Sequence, residues 1–323
     1  MERGVNREWA YVVEDAGKAS AVPREEAVAR HGHASLVWIH LNGRDSGSLE
    51  WLRDRCGIPY PAFLALTAVE TRPRADFLDS GAIINLRGLG ATPHDDPDTL
   101  VSIRLWAEAG FVISISYRTI SAIEQVCEKT RAGRILDPGD LIVDLADAIT
   151  ARLDPEVAVL GDLIDDLEGH IGERAVAGAR SRIAGVRSRS IDFRRFLQPQ
   201  RDALERLSLT TAEWVTEEDR LHLREAANRA ARMAEELEAV RERSALLHEQ
   251  LTDLRTEQID QRSLIVALIA LIFLPLTFVT GLFGMNVEGI PIRSDGMAFW
   301  WIAIGSCVFG AALWLIVRWR RWI

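Results

Sequence analysis

Asp260, Ser263, Val266, Ala270, Leu274, Thr277 and Gly281 recur at spacings of three and four near the C-terminal end of the chain. That spacing places them on one face of a helix. The face carries small and hydroxyl side chains and ends in a carboxylate, while its neighbours are bulky Ile, Leu and Phe. Such a stripe suits the wall of a path for a hydrated cation, because hydroxyl and carboxylate oxygens can accept hydrogen bonds from the ion's bound waters. A helical Ser or Thr also back-bonds to its own carbonyls. Periodicity alone therefore leaves a pore wall and an ordinary apolar helix as alternatives. Just beyond the stripe stand Gly284, Met285 and Asn286, and by itself Asn286 reads as a helix C-cap in left-handed geometry.

Other candidate chemistry is weaker. Residues 137–168 carry ten acids and one arginine, and residues 174–201 carry eight arginines and one acid. Gly169 and Gly172 lie between the two segments, which predicts two antiparallel helices with complementary faces. Asp140, Asp144 and Asp147 fall on one stripe. Interhelical ion pairing is the simpler reading of that stripe, and a comb for divalent cations the sharper one. His31 and His33 form an H-x-H pair in an exposed-looking segment, His222 and His248 sit on a helix, and His40 sits in a predicted strand. None belongs to a Cys/His cluster with structural-zinc spacing. Neither lysine, Lys18 nor Lys129, follows a glycine run that would build a phosphate-binding loop, and no Gly-x-Ser-x-Gly elbow is present. ATP-driven pumping and hydrolase chemistry thus have no support.

The elements that must hold the stripe follow from charge distribution. In a chain of 323 residues, Ser263–Val287 is a run of 25 without a charge and Gly296–Val317 a second of 22. Each is long enough for a helix to cross about 30 Å of hydrocarbon. The N-terminus lacks the apolar core and cleavage site of a signal peptide. The net charge of −9 argues against nucleic-acid binding. Cys56, Cys127 and Cys307 are odd in number and far apart, which reads as reduced rather than disulfide-linked. Arg262 precedes the first span, and Arg318, Arg320 and Arg321 with Trp319 and Trp322 follow the second, whereas the short loop between the spans holds only Arg293 among basic residues. The positive-inside rule then places both termini in the cytoplasm, with the tryptophans at the interface.

Upstream, β-rich stretches recur at Trp9–Val13, Leu36–Leu41, Ile83–Leu89, Leu100–Trp106 and Phe111–Tyr117, the last two joined by a hairpin-like AEAG. A helical stretch around Ser48–Glu70 is interrupted by Pro59 and Pro61. Asp137-Pro138 reads as an N-cap and first turn, and Thr216-Glu217-Glu218-Asp219 resembles a capping box. From Glu217 to Phe283 the only proline is Pro275 and the only glycine Gly281, which predicts one helix of 67 residues, about 100 Å long. The expected division is 1–130 cytosolic α/β domain, 131–215 helical hairpin, 216–262 stalk helix, 263–283 first span, 284–296 periplasmic loop, 297–317 second span and 318–323 basic cytoplasmic tail.

Gly284-Met285-Asn286, at the outer end of the first of two C-terminal spans, is the signature of the CorA metal-ion transporter family. The chain resembles that family along its whole length: α/β N-domain, acidic helical hairpin, long stalk helix, two spans, short loop and basic tail. Within the family it looks most like the ZntB-like zinc transporter branch, in Gly289-Ile290-Pro291 after the motif, in VSIRLWAEAGFVISIS (Val101–Ser116) and in VETRPRADFLDSGAIINLRG (Val69–Gly88). The Met-Pro-Glu continuation usual in CorA proper is absent, and Glu288 stands where many sequences of the branch have glycine.

The resemblance implies a funnel-shaped homopentamer in the cell inner membrane that moves divalent cations, zinc preferred, with no enzymatic activity and no cofactor beyond the transported ion. Two spans cannot enclose a water-filled path, so several copies must surround an axis. On this reading Gly284, Met285 and Asn286 form the outer selectivity ring, where Asn286 carbonyls hold the ion through its water shell. Glu288 concentrates cations at the mouth. Thr277 and Ser263 are polar steps, Leu274 and Val266 are hydrophobic constrictions, Ala270 and Gly281 complete the wall, and Asp260 and Glu249 draw ions at the cytosolic exit. Partners are then other copies of the chain, the bilayer and divalent metal ions. The nearest alternative is a magnesium or cobalt channel gated by cytosolic divalent cations. A rival of a different class is a membrane-anchored scaffold, which has no need of the stripe. Transport direction and proton coupling are not written in these residues.

Overall fold

Leu36–Asn42 (β3) and Phe111–Ser116 (β7) are buried along essentially their whole length, as strands covered on both faces must be. They form the centre of a seven-stranded sheet in the computed structural model, which describes residues 8–15, 17–69, 72–79, 81–91, 100–170, 176–285 and 296–319. The remaining strands are Trp9–Val13 (β1), Ala19–Ala21 (β2), Arg74–Leu78 (β4), Gly81–Leu89 (β5) and Leu100–Glu108 (β6). Their order is β2-β1-β3-β7-β6-β5-β4. Every adjacent pair is antiparallel except β3 and β7, which run parallel with Val37 opposite Phe111. The AEAG turn between β6 and β7 closes on Gly110, whose φ of 70° is cheap only for glycine.

Alternation assigns the two faces. Val37, Ile39, Leu41, Trp106, Phe111, Ile113 and Ile115 look one way and join a core with helices Arg24–Ala29 (α1), Ser46–Arg55 (α2) and Tyr60–Thr67 (α3). Full burial of each such side chain contributes about 1.5–3 kcal/mol. Pro59 caps α3 and Pro61 lies in its first turn, so the prolines split the expected helical stretch into α2 and α3. Gly81 and Gly43 lie where a Cβ would enter the rings of Trp106 and Tyr117. On the other face Trp38, His40, Ser114 and Ser116 make a buried polar ladder. Trp38 Nε1 donates to Ser114 Oγ at 2.9 Å, and the His40 ring contacts Ser114 Oγ at 2.8 Å and Ser116 Oγ at 3.1 Å. Trp9 stacks on His40 at 4.2 Å. Burial without a carboxylate partner pushes the His40 pKa down to about 3, so the ring is neutral.

Ile123–Arg131 (α4), Pro138–Gly169 (α5) and Val176–Ser208 (α6) follow. Asp137 caps α5 by accepting the Asp140 amide at 2.8 Å. The capping box expected before the seventh helix, Glu217–Phe283 (α7), is present: Thr216 Oγ1 accepts the Asp219 amide at 3.1 Å and Asp219 Oδ2 accepts the Thr216 amide at 2.8 Å. At α5's first turn, Gly139 leaves room for the Asp219 carboxylate, into which any Cβ there would intrude. The helix that follows spans the 67 residues its lack of breakers predicted. Ala298–Trp319 (α8) completes the chain. The molecule divides into two compact units, Met1–His248 and Glu249–Ile323, with the division inside α7.

The acidic and basic segments do form helices, but their pairing differs from the expectation of two mutually complementary helices. Arg182–Asp166 (3.1 Å) and Arg189–Glu156 (3.5 Å) join α6 to α5. Asp147 pairs instead with Arg229, and Asp165 and Glu168 with Arg243, all on α7. Arg194 of α6 reaches Glu238 of α7 at 3.1 Å. Of the stripe read as a cation comb, Asp144 pairs with Lys129 at 2.6 Å and Asp140 accepts the Leu136 amide at 2.9 Å. Among the described residues no group of three or more His, Cys, Asp or Glu is placed to hold a metal ion. Ion pairing accounts for the stripe.

Candidate functional site

The second unit contains the end of α7 and all of α8, both long and apolar enough to cross a membrane. Their apolar surface is left largely uncovered: Leu274 is 72% exposed, Phe278 70% and Phe299 71%. A single chain in water would not hold such a surface open. One face of α7 is the exception. Leu268 is buried, and Leu264, Ile272, Pro275 and Leu276 are half-buried, opposite half-buried Ala303, Ser306, Gly310 and Leu313 and buried Val317 of α8. Gly310 lies beside Ile272 of α7, where a Cβ would stand in ordinary contact, 4.0 Å from Ile272 Cγ2.

All seven residues of the sequence-derived stripe lie on the other side. Asp260, Ser263, Val266, Ala270, Leu274, Thr277 and Gly281 are exposed without exception. At about 100° per residue their mean direction is about 145° from the line of Leu264, Leu268 and Ile272. The stripe is thus the face of α7 that α8 does not touch. Its hydroxyls are held: Thr277 Oγ1 donates to the Phe273 carbonyl at 2.8 Å, and Thr280 Oγ1 lies 3.0 Å from that of Leu276. Donation inward leaves the Thr277 oxygen lone pairs free to accept from a passing ion's water.

The signature begins at the end of this helix. The Gly284 amide bonds to the Thr280 carbonyl at 2.9 Å and that of Met285 to Leu282 at 3.4 Å, so Gly284 and Met285 close the last turn of α7. Asn286 and Glu288 lie outside the described residues. At the opposite end Glu249 is exposed. An open groove there is lined by Asp253, Thr256, Glu257, Asp260, Gln261 and Leu264. Asp253 and Glu257 escaped the sequence reading, although continuing the three-and-four spacing upstream from Asp260 reaches both. Among the described residues the histidines join no group of three or more metal-ligating side chains; His31 stacks on Phe111 at 4.5 Å and His222 lies 3.9 Å from Glu218.

The pattern of the CorA-like Mg2+ transporter protein family matches residues 33–320. The zinc transport protein ZntB of Pectobacterium atrosepticum is 31% identical over 316 residues, covering 97% of this chain and 95% of that one. The full-length CmaX protein superposes with a TM-score of 0.81 at 31% identity, over 100% of this chain and 99% of CmaX. The CorA magnesium transporter from Methanocaldococcus jannaschii gives a TM-score of 0.83 at 18% identity, over 99% of each chain, which speaks for the fold.

Proposed function

This chain belongs to the CorA-like family of metal-ion transporters, and from that premise we propose that it carries zinc across the inner membrane through a pore formed by five copies. It is a membrane protein and not an enzyme. One observation carries the proposal: the small and hydroxyl face of α7, from Asp260 to Gly281, is exposed and turned about 145° away from the line that faces α8. A face of that composition is poorly suited to lipid and well suited to a shared aqueous axis, because five copies turned inward would line it with oxygens and small side chains. Each chain would keep both termini in the cytoplasm, with the basic collar at the cytoplasmic interface.

On this reading an incoming ion meets the field of Glu288 first and then the ring of Asn286 side-chain carbonyls. Those carbonyls accept from the ion's bound waters, so the ion need not dehydrate. Gly284 and Met285 set the height of that ring by ending α7 there. Inside, Thr277 and Ser263 relay the water shell, while Leu274 and Val266 form apolar girdles that dewet when narrow. Asp260 and Glu249 compensate the cation's charge as it leaves, with Asp253 and Glu257 beside them. The driving force is the membrane potential, about 2.3 kcal/mol per charge per 100 mV, or an ion gradient. Any proton coupling would run through the end groups Asp260, Glu249 and Glu288, since Ser263–Val287 contains no charged residue.

The relative at 31% identity is named for zinc and the family for Mg2+. The second reading is therefore a magnesium or cobalt channel closed by cytosolic divalent ions. Flux into proteoliposomes, zinc against magnesium and with or without a pH gradient, separates the two. Zinc entry stimulated by inward protons supports the proposal, while magnesium flux indifferent to pH moves the chain to the second reading. Asn286→Ala should lower flux at least about 100-fold, a loss of two or more charge-assisted hydrogen bonds at the ion, with the oligomer intact. Normal flux through that variant refutes the ring.

A further inference from the structure

The hairpin of α7 and α8 has a second polar feature that the ion path does not use. Arg262 is the last charged residue before the uncharged run of α7, and Arg318 is the first after that of α8. Gly310 of α8 lies beside Ile272 of α7, which gives the register of the two antiparallel helices. It sets Arg318 level with Leu264, so the two arginines stand within about 3 Å of the same height at 1.5 Å per residue. Each points about 100° away from the line along which its helix meets the other. Because the helices run in opposite directions, those two turns open onto the same flank of the hairpin.

Among the described residues, neither arginine has a carboxylate partner; Arg318 instead lies over the Trp314 ring at 5.4 Å. This contrasts with Arg182, Arg189, Arg194, Arg229 and Arg243, all of which are paired with acids. Above the arginines, toward the bilayer centre, the same flank presents Ile265, Ile269 and Trp314, each about half-exposed. Two unneutralised guanidiniums at headgroup depth, with an apolar strip rising from them, match one kind of molecule: a phosphate carrying acyl chains. Guanidinium forks bind phosphate oxygens bidentately, and an indole at the interface supports the glycerol region.

We propose that Arg262, Arg318 and Trp314 form a binding site for an anionic phospholipid of the cytoplasmic leaflet, on the flank of each hairpin. The inference rests on the membrane reading of α7 and α8 and is independent of which ion is carried. The lipid supplies the counter-charge that the chain withholds from these two arginines and ties the inner ends of the two helices together. Arg255 and the acids of the stalk lie below headgroup depth and take no part.

Native mass spectrometry of the full-length chain in detergent tests this, with phosphatidylglycerol and phosphatidylcholine titrated separately into delipidated protein. Wild type should retain phosphatidylglycerol over phosphatidylcholine. Arg262→Gln or Arg318→Gln should each weaken it about fivefold and the pair about 25-fold, while Arg255→Gln should leave it unchanged. Millimolar inorganic phosphate should not displace the lipid, because it lacks the chains; displacement would make this a free-phosphate site and overturn the lipid. Equal retention of both lipids by wild type overturns the proposal without any variant, as does undiminished preference in a folded Arg262→Gln, Arg318→Gln protein. Retention of neither lipid would overturn the proposal together with the membrane reading, whereas absence of zinc flux with the preference intact would fault the transport reading alone.

Discussion

The two units solve opposite problems. In Met1–His248 several polar groups taken out of water find partners inside the chain: His40 with Ser114 and Ser116, Asp147 with Arg229, Asp219 with Thr216. In Glu249–Ile323 the apolar groups stay uncovered, and Asp260, Arg262 and Arg318 lack any acid–base partner among the described residues. The first unit buries an apolar core within one copy. The second is completed by what lies outside the chain, lipid on some faces and, in our proposal, water and other copies on one. Burial inside a single chain therefore measures stability in the first unit and reveals vacancy for partners in the second.

The contrast is broken most forcefully by putting one substitution on two faces of α7. Leu268→Asp buries a charge against α8 and should abolish insertion or the folded oligomer. Leu274→Asp, facing the proposed water-filled axis, should insert and assemble. A charge at a span's centre costs about 2.5–3.5 kcal/mol by insertion, and only an aqueous wall relieves it. Membrane fractionation and oligomer mass decide; equal loss for both variants would remove the stripe's distinction.

Within the first unit the sharper probe is pH. The folded His40 pKa is depressed to about 3 from 6.5. Below pH 6.5 the unfolded chain takes up a proton that the folded chain refuses, so stability falls as pH falls. The slope approaches about 1.4 kcal/mol per pH unit until the folded pKa is reached. Asp137, Asp140 and Asp147 are shifted the other way, raised chiefly by burial, and so stabilise the fold as pH falls through their raised values. Urea unfolding should therefore show His40→Asn losing the decline between pH 6.5 and 5 that wild type displays; an unchanged slope would place the titration elsewhere.

A smaller effect is expected at Gly139. Its Cβ would meet the Asp219 carboxylate and the Trp214 carbonyl, so Gly139→Ala should cost about 1–3 kcal/mol, as overpacking does. The midpoint of chemical unfolding reads it, and no change would mean the α7 capping box yields without loss.

Much of the fold was legible because it is local. β-rich runs located β1, β3, β5, β6 and β7, Pro59 and Pro61 marked the break between α2 and α3, and the absence of breakers gave α7 its full span from Glu217 to Phe283. The missed strands β2 and β4 are the two edges of the sheet and are largely uncovered, and the missed helices α1 and α4 are short, six and nine residues. The partners of α5 were only partly legible: α6 supplies Arg182 and Arg189 as expected, but charge sums do not say which helix brings arginines near, and α7 passes along Asp147 and Asp165 and takes them.

The candidate site divides in the same way. Spacing alone determined which residues share a face of α7, since that depends only on 3.6 residues per turn, and the Gly284-Met285-Asn286 signature determined the family. Which face meets α8 was decided in three dimensions, where Leu268 is buried and Ile272 lies beside Gly310. The same packing put Arg262 and Arg318 on one flank. A helical period is a property of one segment, whereas the identity of the covered side depends on a second segment whose position no local pattern encodes.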